Sequence, residues 1–155
     1  MAAIRRTPEV RARWHGDDIE AELLENLDDE DLEVLVVETL GGDGGAGEVI
    51  GSIQWYEEAD DDYRHAGMDL YLDPSAHGRG HGSDAVATLA RHLIETVGHH
   101  RLVIDPAADN VAAIRCYEKV GFKPVGVMRR YERDAEGDGW HDGLLMDLLA
   151  EELVI

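Results

Sequence analysis

Apolar residues recur along this chain with two periods, and the switching between them lays out the elements. Ile19, Leu23, Leu24 and Leu27 fall at offsets of three and four with acids between them, which predicts an amphipathic helix capped by Asp17 and ending near residues 26–29. Residues 32–40 are β-branched and half alternating, so a strand is predicted there, followed by a glycine-rich hairpin connection at 41–47. A returning strand covers 48–56 through Val49, Ile50, Ile53 and Trp55, and a charged loop at 57–64 leads to a third strand at 67–72. Beyond residue 83, the stripe Val86, Leu89, Ala90, Leu93, Ile94 and Val97 predicts a helix over 84–97 that Gly98 stops. Residues 101–104 form a short apolar strand. Asp109 or Asn110 then caps a second helix carrying Val111, Ala112, Ile114, Cys116 and Tyr117, which Gly121 closes. Two last strands, 122–131 and 140–149, flank the turn-rich stretch 134–139, while residues 1–16, basic and interrupted by Pro8, read as irregular. The order predicts one α/β or α+β domain over residues 1–155, built on a mixed sheet with flanking helices.

Charge changes this picture in one respect. Thirty-four acids against 14 bases leave a formal net charge of −20, and the acids are spread along the whole chain. Such a surface disfavours nucleic acid and anionic membrane as partners. It resembles the surfaces of halophile proteins, whose self-repulsion concentrated salt screens to about 3 Å at molar ionic strength. No stretch approaches the roughly 18 apolar residues of a membrane span, and residues 1–6 lack a signal-peptide core. The single cysteine, Cys116, fits a reducing compartment and reads as small core filler, so a cytoplasmic location is expected. The eight histidines suggest no metal site.

The chemistry concentrates at 73–83, Asp-Pro-Ser-Ala-His-Gly-Arg-Gly-His-Gly-Ser. Gly78, Gly80 and Gly82 follow an apolar strand and precede a helix, so their backbone amides can converge on an anion such as a pyrophosphate. A phosphate-binding Walker loop would need Gly-Lys-Ser/Thr, and the third glycine of a dinucleotide fingerprint would fall at Ser83. In the strand before the loop, alternation puts Asp69 and Tyr71 on one face and Met68, Leu70 and Leu72 on the other. A carboxylate at Asp69 can bind an ammonium and help remove its proton. Trp140, His141 and Asp142 open the last strand and are candidates for the wall of the same site.

The glycine loop His77-Gly78-Arg79-Gly80-His81-Gly82, followed by Asn110-x-x-Ala113-x-x-x-Tyr117-Glu118-Lys119-x-Gly121-Phe122, resembles the GCN5-related N-acetyltransferases. Trp55-Tyr56-Glu57-Glu58, Gly67-Met68-Asp69 and Asp105-Pro106 narrow the resemblance to the aminoglycoside 6'-N-acetyltransferases. It implies a mostly antiparallel sheet in which the parallel strands at 67–72 and 101–104 splay, so that the pantetheine arm of acetyl-CoA inserts between them. It further implies pyrophosphate binding by His77, Gly78, Arg79, Gly80, His81, Gly82 and Ser83, and a thioester held along Leu70, Tyr71 and Leu72. Asn110 and Ala113 would meet the pantetheine arm, and Tyr117 would protonate the leaving thiolate. On the acceptor side, Asp69, Asp105, Glu57 and Glu58 would receive a cationic small-molecule amine.

Two departures from the family pattern stand out. His77 replaces the usual Gln or Arg at the start of the loop, and the first sheet strand of the family is missing or reduced. The second would leave an uncovered edge near residues 32–40 and make a homodimer an expectation. Acetylation of protein N-termini or ribosomal proteins, and a non-catalytic acyl-CoA-binding module, are the alternative readings.

Overall fold

The computed structural model describes residues 1–42 and 45–154, with Ala46 described in its backbone only. Six strands form one sheet in the order β1-β2-β3-β4-β6-β5: β1 (Leu32–Leu40), β2 (Ala46–Glu58), β3 (His65–Leu72), β4 (Arg101–Ile104), β5 (Lys123–Arg133) and β6 (Trp140–Leu149). All neighbours are antiparallel except β3 and β4, which run parallel and pair only at Ala66–Leu102 and Gly67–Val103. Beyond Gly67 the ladder between them stops, which is the expected splay. β1 lies at the sheet edge, where the sequence placed it. The predicted hairpin connection is described apart from 43–44, which lie outside the described residues.

Helices complete the molecule: α1 (Ala2–Arg5), α2 (Pro8–Arg11), α3 (Ile19–Asp28), α4 (His81–His92) and α5 (Val111–Glu118). Three differ from expectation. The segment 1–16 is not irregular, because Pro8 sits at the first turn of α2, where its missing N–H costs no helical bond. The cap of α3 is Asp18, whose side chain accepts from the Ala21 amide, one residue beyond the predicted Asp17. Leu24 and Leu27 of its apolar stripe remain exposed, because α3 packs at the margin, against α1 and β1.

α4 carries the main core. Val86, Leu89, Ala90 and Leu93 cover Ile53, Ala66, Met68, Leu102, Ile104, Met146 and Leu148 of four strands, and Tyr117, Val120 and Phe122 close the cluster. On the other face of β3, Tyr71 packs with Ile4, Val10 and Trp14 of the N-terminal segment. The alternation read along 68–72 is therefore real: Met68 enters the main core and Tyr71 the opposite cluster. No helix among the described residues is long and apolar enough to cross a membrane.

One buried histidine sets a pH dependence of stability. His99 is 1% exposed, lies edge-on to Trp55 at 6.1 Å, and neither ring nitrogen has a hydrogen-bond partner. Burial, reinforced by the Arg64 guanidinium, holds its pKa below the ordinary histidine value. The unfolded chain therefore binds this proton more readily than the folded one, so the contribution of neutral His99 is present above about pH 6.5 and lost as pH falls below it. Thermal unfolding followed from pH 7.5 to 5.5 is expected to show a falling midpoint that His99→Leu flattens. An identical slope in the variant would assign the acid sensitivity to other groups.

Candidate active site

The site forms where β3 and β4 part. Asp73 N–H donates to Ile50 O at 2.7 Å, which sets the ladder phase on β3. By the antiparallel alternation, Tyr71 and Asp69 bond to β2, and the N–H groups of Leu70 and Leu72 point to the side from which β4 has diverged. The Leu72 carbonyl on that side lies 3.2 Å from His77 Nε2. The Leu70 amide thus faces the splay between β3 and β4.

Next to it, the glycine loop becomes a helix start. Gly78 and Gly80 adopt φ of +72° and +89°, left-handed values at which a side chain would strain the backbone. Gly80, not a residue near Asp84, is the cap, and the first bond of the new turn is Asp84 N–H to Gly80 O at 3.0 Å. The N–H groups of His81, Gly82 and Ser83 therefore precede the helical ladder and are unclaimed by it. A Cβ on Gly82 would meet Cys116 Sγ at 3.2 Å, so glycine lets α4 approach α5 closely. These amides and the helix dipole suit a phosphate anion.

A cleft of about 420 Å³ runs from this loop to the splay. Its lining includes Gly78, Gly80, Gly82 and Ser83 at one end and Leu70, Asn110, Ala113 and Tyr117 at the other, with Tyr71, Leu72 and His77 between. Arg79 and His81 do not line it; the loop offers backbone amides there instead of those two side chains. His77 and His81 stand four residues apart, but His81 faces a separate groove beside β1, so they make no ligand pair. Asn110 caps α5 through Oδ1, which accepts the Ala113 amide at 3.2 Å, and its NH₂ is the group left to offer.

A second cavity of about 610 Å³ joins the first; Leu70, Asn110 and Tyr117 border both. Its wall holds Asp69, Asp105, Glu132 and Glu22. Burial lifts the Asp69 carboxyl to a pKa of about 6, helped by Asp105 and Glu132 and opposed by a hydrogen bond from Gln54. Burial also raises Asp105, which accepts a hydrogen bond from the Tyr131 hydroxyl. The Tyr117 phenol is pushed well above the ordinary tyrosine range by burial first and by Cys116, Asp69 and Asp105 next, so it keeps its proton.

Asp69 and Asp105 thus meet as expected, whereas Glu57 and Glu58 do not line this cavity. Glu57 pairs with Arg64 at 2.8 Å near His99, and Glu58 accepts the Asp60 amide, because β2 runs on to residue 58 and carries both acids past the site. The cavity wall instead takes residues that periodicity could not flag. Arg5, Arg13, Trp14 and His15 reach it from the N-terminal segment, and Tyr131 and Glu132 from β5. Of the trio opening β6, His141 lines the cavity, Trp140 is exposed, and Asp142 accepts the Arg130 amide at 2.7 Å. Only the excess of acids hinted at Glu132; nothing in the sequence brings residues 5–15 to β3.

The chain resembles known proteins. The model of the acetyltransferase (GNAT) family matches residues 3–122. Aminoglycoside N(6')-acetyltransferase type 1 of Klebsiella pneumoniae is 37% identical over 75 residues, covering 48% of this chain and 36% of that protein, so the match spans about a third of the relative's length. Spermidine N-acetyltransferase from Vibrio cholerae, solved with CoA and spermine, shares the fold with a TM-score of 0.77 at 17% identity over 97% of this chain and 88% of its own. AAC(6')-Ib, solved with ribostamycin and coenzyme A, does so with a TM-score of 0.73 at 23% identity over 97% and 87%. With the family match running through the splayed strands, the glycine loop and α5, this chain belongs to the acetyltransferase (GNAT) family.

Proposed function

We propose that the protein is an acetyl-CoA-dependent N-acetyltransferase that acetylates a primary amine of a cationic small molecule, aminoglycoside-like or polyamine-like, by direct transfer in a ternary complex. The observation that carries this reading is the meeting of two cavities at Leu70 and Tyr117, one edged by free loop amides and the other walled by carboxylates. Arg5 pairs with Glu22 and Arg13 with Asp109, so Asp69 and Asp105 have no cationic side chain bonded to them among the described residues. A polyamine or aminoglycoside would supply those charges, in keeping with the ligands solved in the two structural neighbours.

The fit to coenzyme A rests on the three amides of His81, Gly82 and Ser83 ahead of the α4 ladder. Bound there, the thioester supplies an activated carbonyl at the splay. Asp69, as carboxylate, takes the proton of the acceptor ammonium, which frees a lone pair on nitrogen. The N–C bond forms as the C–S bond breaks, and the Leu70 amide donates to the carbonyl oxygen while negative charge develops on it. Tyr117 gives its proton to the departing sulfur, the second proton of the acylated nitrogen restores the Tyr117 phenol, and Asp69 releases its proton to solvent, so the neutral N-acetyl amide and free thiol leave with atoms and charge balanced.

Two measurements check this. Acetyl-CoA is expected to raise the melting temperature, and thiol release is expected with spermidine or kanamycin-like amines in both dilute buffer and molar KCl. No thermal shift would end the reading. A shift without turnover on any amine would favour an acyl-CoA-binding module, and turnover on N-terminal peptides alone would move the acceptor to protein.

A further inference from the structure

His15 lies in the connection between α2 and α3, and its backbone is fixed from its own side. Its carbonyl accepts from Arg5, a 3% exposed guanidinium stacked 5.3 Å from Trp14 and 5.6 Å from Tyr71 and paired with Glu22 at 2.8 Å. Gly16 follows at φ +145°, where a Cβ would fall 2.3 Å from Glu22 Oε2. The imidazole therefore projects across the mouth of the acceptor cavity. Its Nε2 is hidden from solvent, has no hydrogen-bond partner, and stands 3.4 Å from Glu132 Oε1 on β5.

The other oxygen of Glu132 is differently held. Glu132 Oε2 lies 3.1 Å from His141 Nε2 on β6, and His141 Nδ1 lies 3.0 Å from Asp134 Oδ1. Glu132 thus meets two histidines: Oε2 is held by His141, whose other ring nitrogen faces Asp134, and Oε1 has only the unbonded contact with His15. Its charge also reaches Asp69 and Asp105 across the cavity, so it belongs to the same electrostatic site.

We propose that His15 is a specificity-determining residue of the acceptor site: its imidazole covers the Oε1 side of Glu132, and a second ammonium on the acceptor must displace it to bind there. This rests on the amine N-acetyltransferase reading. With the imidazole in place, polycationic acceptors compete with it for Oε1; without it, Glu132 is open to them. A monoamine, which places its one nitrogen at Asp69, is indifferent to His15.

The test compares spermidine with hexylamine at one pH in the wild type, His15→Ala and His15→Lys, all saturated with acetyl-CoA. Taking the ratio of the two KM values cancels any change at Asp69, which both amines share. The spermidine-to-hexylamine KM ratio is expected to fall about threefold in His15→Ala, where Oε1 is uncovered, and to rise about threefold in His15→Lys, where a fixed cation stays beside it, the range of a half-exposed ion pair. In both variants kcat should be little changed and the acetyl-CoA thermal shift retained. A His15→Ala enzyme with the wild-type ratio overturns the proposal while leaving the acetyltransferase reading intact. If neither amine is acetylated or bound, both fall together.

Discussion

Asp69→Asn is expected to lower kcat for amine acetylation by about 10²- to 10³-fold and to leave the acetyl-CoA Kd within twofold. Asparagine keeps the shape and the Gln54 partner but cannot accept the ammonium proton. In the wild type, kcat/KM should fall as pH drops through about 6, because the carboxylate that must accept the proton is itself protonated there. The variant should lose that limb. Stability should move the other way. A carboxyl raised from 3.8 to about 6 disfavours the folded state at neutral pH by about 3 kcal/mol relative to its protonated form. The neutral amide removes much of that cost, so at pH 7 the variant should melt higher. A less active but more stable enzyme would separate a catalytic loss from misfolding. Equal losses of turnover and acetyl-CoA affinity would deny Asp69 its place on the acceptor side.

Tyr117→Phe is expected to reduce kcat by about 100-fold with little change in KM for the amine. The ring is 6% exposed and packs 6.2 Å from Phe122, so phenylalanine preserves the core and removes only the hydroxyl at the junction of the two cavities. Its raised pKa keeps the phenol protonated throughout the working range, which suits a donor. Steady-state thiol release with a saturating amine reads the effect directly. Unchanged turnover would reduce Tyr117 to a packed aromatic.

Much of the candidate site was legible before the structure. The loop glycines, Asn110 and Tyr117 carry local signals, because a left-handed turn, a helix cap and a helical stripe each depend on a few neighbouring residues. Asp69 was legible too, since a period of two sorts residues 68–72 onto two faces whatever lies opposite. The misreadings have the same origin turned around. The family resemblance marks Glu57 and Glu58 as candidates, yet β2 extends beyond Tyr56 and carries them away from the splay. The spacing of Leu24 and Leu27 signals an amphipathic helix but not how much of its stripe finds a partner. Asp17 and Asp18 are chemically equivalent caps, and the chain entry decided between them.

Short-range periodicity and turn chemistry therefore determined, from the sequence alone, the order of strands and helices from residue 19 onward, the glycine-rich loop, the start of α5 and the face of β3 that bears Asp69. Only the tertiary structure decided that Arg13, Trp14 and His15 lie at the mouth where Glu132 and His141 meet them. The contact of His15 with Glu132 joins residues more than a hundred positions apart through buried Arg5, Tyr71 and the β5–β6 hairpin. No local pattern encodes such a contact, because its energy arises only once separate elements pack and exclude water between them.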